Sequence, residues 1–211
     1  ANGTITPGYS FGKSESLWSP RVGLLFQPSE MQSYYVSFGT SYNTSGDAYQ
    51  FTPNSPNQVL ANTPPEKSRN VELGLHWAQA GSVFGVTVYR NRITNLINFG
   101  APGPCGSTFG CYENTGRAVL QGVTVSGAHK LGGVNLSGSF DYQDPRNDLT
   151  DKLLARRAQR TLKLNADTRV TTGALNWTLG AELQGVSHRW DNAANTNRLG
   201  GYGLVNLYAS T

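Results

Sequence analysis

No arrangement of residues in this sequence points to catalysis. Its three histidines, His76, His129 and His188, are far apart in the chain and share no motif. The Gly-x-Ser-x-Gly segment that presents a nucleophilic serine in many hydrolases is absent from the sequence. We therefore expect no catalytic residues and no enzyme activity.

The two cysteines lie in a loop that is rich in glycine and proline. Cys105 and Cys111 are six residues apart, with no Cys-x-x-Cys spacing and no histidine nearby, so they make poor zinc ligands. In an oxidising compartment such a pair favours a short disulfide with a structural role. Two free thiols, or a metal site, are the alternatives.

The segment Asp141–Asp151 is rich in side-chain oxygens, which are the ligands that calcium prefers. Its spacing does not fit the EF-hand loop, and Asp, Asn and Pro are also the residues that form turns. We expect a turn here, with no bound metal, and no cofactor elsewhere in the chain.

The segments that carry these residues alternate between apolar and polar side chains. In Gly133–Gln143 the apolar residues fall on one face and the polar residues on the other, which is the period of a β-strand. Asn70–Trp77, Thr161–Asp167 and residues 175–184 repeat the pattern. One polar face on strand after strand is difficult to place in a small soluble sandwich, although sandwich strands also alternate.

The connections between these segments alternate in length. The short ones are Pro28-Ser29-Glu30, Gln79-Ala80-Gly81, Leu131-Gly132-Gly133 and Thr171-Thr172-Gly173. The long ones are Thr44–Lys67, Gly100–Cys111, Asp144–Ala155 and Asp191–Arg198. Outer-membrane barrels sort their connections in this way, with tight turns on the periplasmic side and long loops outside. The sequence therefore predicts an all-β fold, an antiparallel up-and-down transmembrane β-barrel.

We predict nine strands, several of them much longer than the usual five or six residues. They are Leu17–Gln27, Gln32–Asn43, Ser68–Ala78, Ser82–Asn98, Tyr112–Lys130, Val134–Gln143, Arg156–Arg169, Ala174–Trp190 and Leu199–Ser210. Aromatic residues near strand ends, Tyr35 among them, suggest interfacial girdles, although ordinary strand-end aromatics are the alternative. Nine is odd, whereas bacterial single-chain barrels have even strand numbers, so we expect an incomplete barrel that does not close or insert alone.

Composition excludes two other function classes. No window approaches the run of about 20 apolar residues that a spanning helix needs. The net charge is +4, but the basic residues are scattered and Arg156-Arg157 is their only adjacent pair, so no nucleic-acid partner is expected. An outer-membrane hydrolase would need a serine and a histidine on adjacent strands at the lipid face, which we do not expect.

Four segments, in order, resemble the TonB-dependent outer-membrane receptors. They are TPPEKSRNVELGLHW (Thr63–Trp77), YRNRITNLI (Tyr89–Ile97), YENTGRAVLQGVTVSG (Tyr112–Gly127) and FDYQDPRNDLTDKLLARRAQRTLKL (Phe140–Leu164). Residues Trp18–Val71 are most similar to ferric-siderophore receptors of the catecholate type, and Leu73–Thr211 to vitamin B12 (cobalamin) transporters.

The resemblance implies that residues 1–211 are the C-terminal part of a receptor barrel, with the plug domain, the early strands and the last strands absent. It also implies active uptake of a ferric siderophore or cobalamin at the bacterial outer membrane. The partners would be that ligand, the TonB complex through the missing plug region, and outer-membrane lipid with lipopolysaccharide.

Ligand capture by outer loops is the chemistry that the resemblance implies. Tyr49, Gln50 and Phe51 in a long loop offer stacking and hydrogen bonds, and Arg146, Arg189 and Trp190 lie near other outer ends. Arginine suits anionic chelates through charge-assisted hydrogen bonds. These residues would otherwise solvate the loops or meet lipopolysaccharide phosphates. A passive porin or adhesin barrel, and a soluble β-sandwich binding module, are the alternative functions.

Overall fold

A computed structural model describes residues 14–44, 64–100, 111–114 and 116–211 of the chain, with side chains omitted for residues 98–100 and 111–113. All regular structure in these ranges is β-strand, joined by turns and loops. Among the described residues no helix is long and apolar enough to cross a membrane.

Thirteen strands are present in the described part of the chain. They are β1 (Arg21–Ser29), β2 (Gln32–Asn43), β3 (Glu66–Gln79), β4 (Ser82–Thr94), β5 (Ile97–Gly100), β6 (Cys111–Asn114), β7 (Arg117–Leu131), β8 (Val134–Asn147), β9 (Arg160–Thr172), β10 (Leu175–Val186), β11 (Arg189–Trp190), β12 (Arg198–Leu199) and β13 (Tyr202–Ser210).

Nine of these strands form one antiparallel sheet in the order β1-β2-β3-β4-β7-β8-β9-β10-β13. Each main strand therefore pairs with the next main strand along the chain, as in an up-and-down meander. The short strands form two separate pairs, β5 with β6 and β11 with β12, inside two of the long connections. The predicted fold class and the number of main strands are confirmed.

Tight turns join the main strands at one end of the sheet, and long connections join them at the other. Gly81, Gly132 and Gly173 occupy three of the tight turns with φ of 78°, 59° and 64°, a region that favours glycine because it has no Cβ. The predicted alternation of short and long connections is present in the structure.

Several predicted strand ends were wrong because residues with positive φ interrupt the extended chain. The strand predicted as Ser82–Asn98 ends at Thr94, before Asn95 with φ of 56°. The strand predicted to begin at Arg156 begins at Arg160, after Arg156 itself turns with φ of 60°.

The sheet is a single layer with two different faces. Directly paired residues share a face, so Phe84, Gly127, Gly138, Leu164, Leu183 and Val205 continue one apolar row across the sheet from β4 to β13. We call this side the apolar face and the opposite side the polar face.

The apolar face has no protein packed against it in the described ranges. Its side chains remain exposed, with 56% for Leu73, 51% for Val88 and 41% for Leu179. Among the described residues, the buried apolar side chains are Ala118, Val119 and Pro145. A soluble β-sandwich would bury such rows between two sheets, so this arrangement argues against the sandwich alternative.

The polar face carries tyrosines that cover glycines on neighbouring strands. Tyr35 is paired with Gly74, Tyr89 with Gly122, and Tyr208 with Gly180. A Cβ on Gly74 would lie 1.9 Å from the Tyr35 ring, so each glycine makes room for a ring, the arrangement known as aromatic rescue. Tyr35 therefore does not belong to a girdle on the apolar face, because its hydroxyl lies 3.1 Å from Thr87 Oγ1 on the polar face.

Candidate functional site

The long-loop end of the sheet is the region where the predicted ligand residues are to be sought. Tyr49, Gln50 and Phe51 lie outside the described residues, so their role stays a prediction. The predicted disulfide also lies outside them, because Cys105 is not described and only the backbone of Cys111 is.

Arg146 lies near the end of β8, beyond the apolar row that ends with Phe140 and Tyr142. Its Nε donates to both Asp144 carboxylate oxygens, at 3.0 and 2.9 Å. Its Nη1 donates to the Asp151 carbonyl at 2.8 Å and lies 3.4 Å from the Asp151 carboxylate. Hydrogen bonding to Asp144 raises the pKa of the Arg146 guanidinium. The charge of Arg146 is thus balanced by its own loop.

Arg189, the first residue of β11, has a different environment. Its guanidinium lies 5.8 Å from the centroid of the Tyr202 ring, within the range of a cation–π contact. Its Nη1 is buried and has no hydrogen-bond partner in the described part of the chain. A buried donor without an acceptor is costly, so a movement of the Arg189 side chain that gave Nη1 an acceptor would be favourable.

Two of the long connections hold each other in place. Asn195, with φ of 56°, accepts a hydrogen bond from the Leu153 amide and donates to the Leu153 carbonyl, both at 2.9 Å. Arg156 Nε lies 2.9 Å from Asp191 Oδ1, and Lys152 Nζ donates to the Ala194 carbonyl at 3.1 Å. We call this contact between residues 148–159 and residues 187–199 the loop clasp.

The loop clasp links two of the predicted ligand sites through backbone contacts. The Arg156 amide donates to the Trp190 carbonyl at 2.6 Å, and Asp151, which holds Arg146, precedes the clasp residues Lys152 and Leu153. These contacts thus connect the segments that carry Arg146 and Trp190. The signal that sequence reasoning missed was Asn195, since asparagine tolerates this φ and forms turns.

The polar face offers a groove of about 720 Å³ below the long-loop end. Its lining includes hydroxyl, amide and carboxylate side chains such as Ser37, Asn70, Glu72 and Tyr89, together with the cationic Arg21 and apolar residues. Thr124 Oγ1 donates to Asp141 at 2.6 Å across two further strands. The polar face thus presents hydrogen-bonding side chains along this groove.

One serine and histidine do meet on adjacent strands at the apolar face, an arrangement that was not expected. Ser82 Oγ lies 2.7 Å from His129 Nδ1, next to a tight turn. In the described residues no carboxylate forms an ion pair with His129, so the third group that orients the histidine of a catalytic triad is not found there. The described residues also contain no group of three or more His, Cys, Asp or Glu that could hold a metal ion.

Comparison with known proteins gives one family and many structural relatives. Residues 1–211 match the family described as TonB dependent receptor-like, beta-barrel.

Three solved structures illustrate the structural similarity. BauA, the ferric preacinetobactin receptor from Acinetobacter baumannii, is 20% identical with a TM-score of 0.68, over 90% of this chain and 29% of that chain. A mutant of the ferric enterobactin receptor PfeA from Pseudomonas aeruginosa is 19% identical with a TM-score of 0.70, over 92% and 32%. The copper transporter OprC is 15% identical with a TM-score of 0.70, over 90% and 30%.

This chain therefore spans about a third of the length of the solved structures that it matches. At these identities the similarity shows the fold and leaves the ligand open.

Proposed function

The chain belongs to the TonB dependent receptor-like β-barrel family, and on this premise we propose that it is part of an outer-membrane receptor for active uptake of a ferric siderophore. Proteins of this family are outer-membrane β-barrels that act as transport receptors and not as enzymes. TonB-dependent receptors bind ferric siderophores and interact with TonB.

The observation that carries the proposal is the exposed apolar face of a single-layer sheet. Lipid can cover such a face, and the polar face then lines a water-filled or plugged interior. The main strands between the two edges have 12 to 15 residues, enough for the roughly nine to eleven that a tilted strand needs to cross the hydrocarbon. The tight turns then lie at the periplasmic side and the loop clasp lies outside.

Residues 1–211 supply only part of the barrel in this proposal. An open sheet in lipid would leave backbone groups at both edges without partners, which is not tolerated in hydrocarbon. We propose that the early strands, the last strands and the plug domain are provided by other parts of the receptor. The roughly one-third coverage of the solved receptors supports this view.

A ferric siderophore is favoured as the ligand because two of the structural relatives above are ferric-siderophore receptors by name. The copper transporter among them shows that this fold also serves another cargo. Cobalamin, which the second part of the sequence resembles, is the competing ligand to be tested.

Among the described candidates, Arg189 is the residue that we propose to contact an anionic chelate. Its buried Nη1 lacks an acceptor, and Trp190 follows it in the chain. Tyr49, Gln50 and Phe51 remain candidates for the other side of the ligand. Arg146 is held by Asp144 and Asp151, so we propose a loop-holding role for it, with ligand contact secondary.

The test is a binding titration of the full-length receptor with a ferric catecholate and with cyanocobalamin. Binding of the ferric catecholate, weakened about tenfold or more by Arg189→Gln and less by Arg146→Gln, is the expected result, since a charge-assisted hydrogen bond is worth about 1.5–3 kcal/mol. Binding of cyanocobalamin and not of the ferric catecholate would mean that the ligand is a cobalamin and not a ferric siderophore. Failure with both ligands would remove the siderophore and cobalamin assignments together.

A further inference from the structure

Four basic side chains cluster at the outer end of β3 and β4, on the same side of the sheet as the apolar face. They are Lys67, Arg69, Arg90 and Arg92, and we call them the basic corner. Register places Arg69 directly opposite Arg92, Lys67 opposite Thr94, and Arg90 opposite Val71. The four side chains therefore occupy two neighbouring positions on each of two paired strands.

The facing pair Arg69 and Arg92 is electrostatically unfavourable by itself. Directly opposite residues of an antiparallel pair have Cβ atoms roughly 5 Å apart, and like charges placed there destabilise a sheet. No carboxylate of the described residues forms an ion pair with Arg69, Arg90 or Arg92. Both arginines are also exposed, so their repulsion can be relieved by an anion from outside the chain.

The neighbouring strand adds two features to the basic corner. Lys67 Nζ lies 5.3 Å from the centroid of the Tyr42 ring, which holds the lysine near β2. Thr40, the residue paired with Arg69 on β2, has a buried Oγ1 without a hydrogen-bond partner among the described residues. Arg69 therefore lies beside one buried hydroxyl that lacks a hydrogen-bond partner among the described residues.

Directly below the basic corner the same face becomes apolar. Val71 and Leu73 continue β3, Val86 and Val88 continue β4, and Leu73 is 56% exposed. Arg90 follows the tight turn at Gly81 by nine residues, which is close to the length that a tilted strand needs to cross the hydrocarbon. The cations therefore begin where the lipid headgroups of the outer leaflet would lie.

We propose that the basic corner binds the phosphate of an anionic lipid headgroup in the outer leaflet, whose acyl chains lie along the apolar residues below it. Arginine fits this ligand because its planar guanidinium donates two parallel hydrogen bonds to a phosphate. A single phosphate bound between Arg69 and Arg92 attracts both guanidinium groups and so offsets the repulsion between them. The proposal rests on the proposed function, because it requires the apolar face to meet lipid.

A lipid fits the basic corner better than a soluble anion or a protein would. The cations lie on the side of the sheet that faces the membrane. A transported ligand would pass along the opposite side, the polar face. The apolar strip that continues from them along β3 and β4 gives acyl chains a surface to contact. Inorganic phosphate has no apolar part that could contact this strip.

The test measures which lipids the full-length receptor retains. The receptor is reconstituted in vesicles of equal parts phosphatidylcholine and phosphatidylglycerol, released in neutral detergent, and its bound lipids are counted by native mass spectrometry. Wild type should retain phosphatidylglycerol in preference to phosphatidylcholine. The double variant R69Q/R92Q should lower that ratio by roughly tenfold or more, the scale of a charge-assisted hydrogen bond.

A matched control removes two positive charges from the opposite face. On β9, Lys163 is paired with Ser139 and Arg169 with Thr178, so both cations lie on the polar face. The double variant K163Q/R169Q therefore makes the same change of net charge away from the apolar face. This control should keep the wild-type lipid ratio. An equal loss in both double variants would overturn the proposal, because net charge and not the basic corner would then be the cause.

Two further results separate this proposal from the proposed function. A wild-type receptor that enters the bilayer but retains both lipids equally would overturn the lipid site and leave the receptor assignment intact. A receptor that does not enter the bilayer at all would overturn both.

Discussion

At the long-loop end of this sheet, one region pairs its positive charges with carboxylates and another region does not. In the loop clasp and its surroundings each arginine that holds a loop has a carboxylate, as Arg146 has Asp144 and Arg156 has Asp191. In the basic corner, arginine faces arginine across paired strands and the described residues give neither a carboxylate.

The difference teaches that local composition does not show what a surface charge does. Paired charges at the loop clasp serve the protein itself, by fixing two loops against each other. Unpaired charges at the basic corner stand directly above an exposed apolar surface, so they are available to a ligand from the membrane. The predictions below test whether the two regions differ in this way, from the largest expected effect to the smallest.

The largest effect should come from moving a positive charge down into the apolar face. Leu136→Arg puts a cation in the apolar row of β8, where the structure leaves Leu136 38% exposed. Arginine near the bilayer midplane costs about 2–4 kcal/mol, so the free energy of unfolding of the reconstituted receptor should fall by about that amount in a urea titration.

The neighbouring position supplies the control for this variant. Ser137→Arg puts the same cation on the polar face, where we expect a change below about 1 kcal/mol. Equal losses for Leu136→Arg and Ser137→Arg would mean that the two faces do not differ in their contact with lipid. The contrast between the basic corner and the surface below it would then disappear.

The second effect concerns the link between the loops of the clasp. Asn195→Ala removes two hydrogen bonds to Leu153 and replaces asparagine at a φ of 56°. Each bond contributes about 0.5–1.5 kcal/mol, so the Leu153 amide should exchange its hydrogen at least about tenfold faster. Asn195→Gly keeps the backbone conformation accessible, and a wild-type exchange rate in that variant would show that the side-chain bonds do not hold the clasp.

The third effect should differ in sign between the two regions. Removal of a paired cation by Arg146→Gln should lower the free energy of unfolding by up to about 1 kcal/mol, because exposed ion pairs contribute on that scale. Removal of one of two facing cations by Arg92→Gln should raise it slightly in detergent that contains no phosphate. Chemical unfolding of both variants side by side checks this, and a loss of equal size in both would contradict the unpaired state of the basic corner.

The smallest effect concerns the exposed pair of Arg156 and Asp191. The Arg156 side chain is 75% exposed, so water and salt screen the pair strongly. Arg156→Gln should change the free energy of unfolding by less than about 0.5 kcal/mol, and the change should vanish in high salt. A large loss that persists in high salt would show that the clasp depends on this pair and not on Asn195.

The regular parts of the fold could be predicted from the sequence because they follow from local patterns. Alternation in Gly133–Gln143 identified both faces of β8, and the lengths of the connections identified its two ends. The breaks at Asn95 and Arg156 could not be predicted, since residues other than glycine adopt positive φ only when the surrounding structure holds them there.

The functional features depend on register, which local patterns do not contain. The sequence shows Arg69 and Arg92 as separate basic residues 23 positions apart, and only the pairing of β3 with β4 brings them face to face. The contact of Tyr208 with Gly180 likewise could not be read from the sequence, because it depends on the pairing of β10 with β13. The ligand residues near Tyr49 remain predictions, because they lie outside the described residues.

The central claim is that lipid covers the apolar face while the polar face is shielded from it, and spin labels at alternating positions of β8 test it most directly. In the full-length receptor reconstituted in bilayers, single nitroxides at Leu136 and Phe140 should be accessible to oxygen, which dissolves in hydrocarbon. Nitroxides at Ser137 and Ser139 should instead show little contact with oxygen. Uniform accessibility along β8, or oxygen contact at the serine positions alone, would contradict the assignment of the chain to a membrane barrel with this orientation.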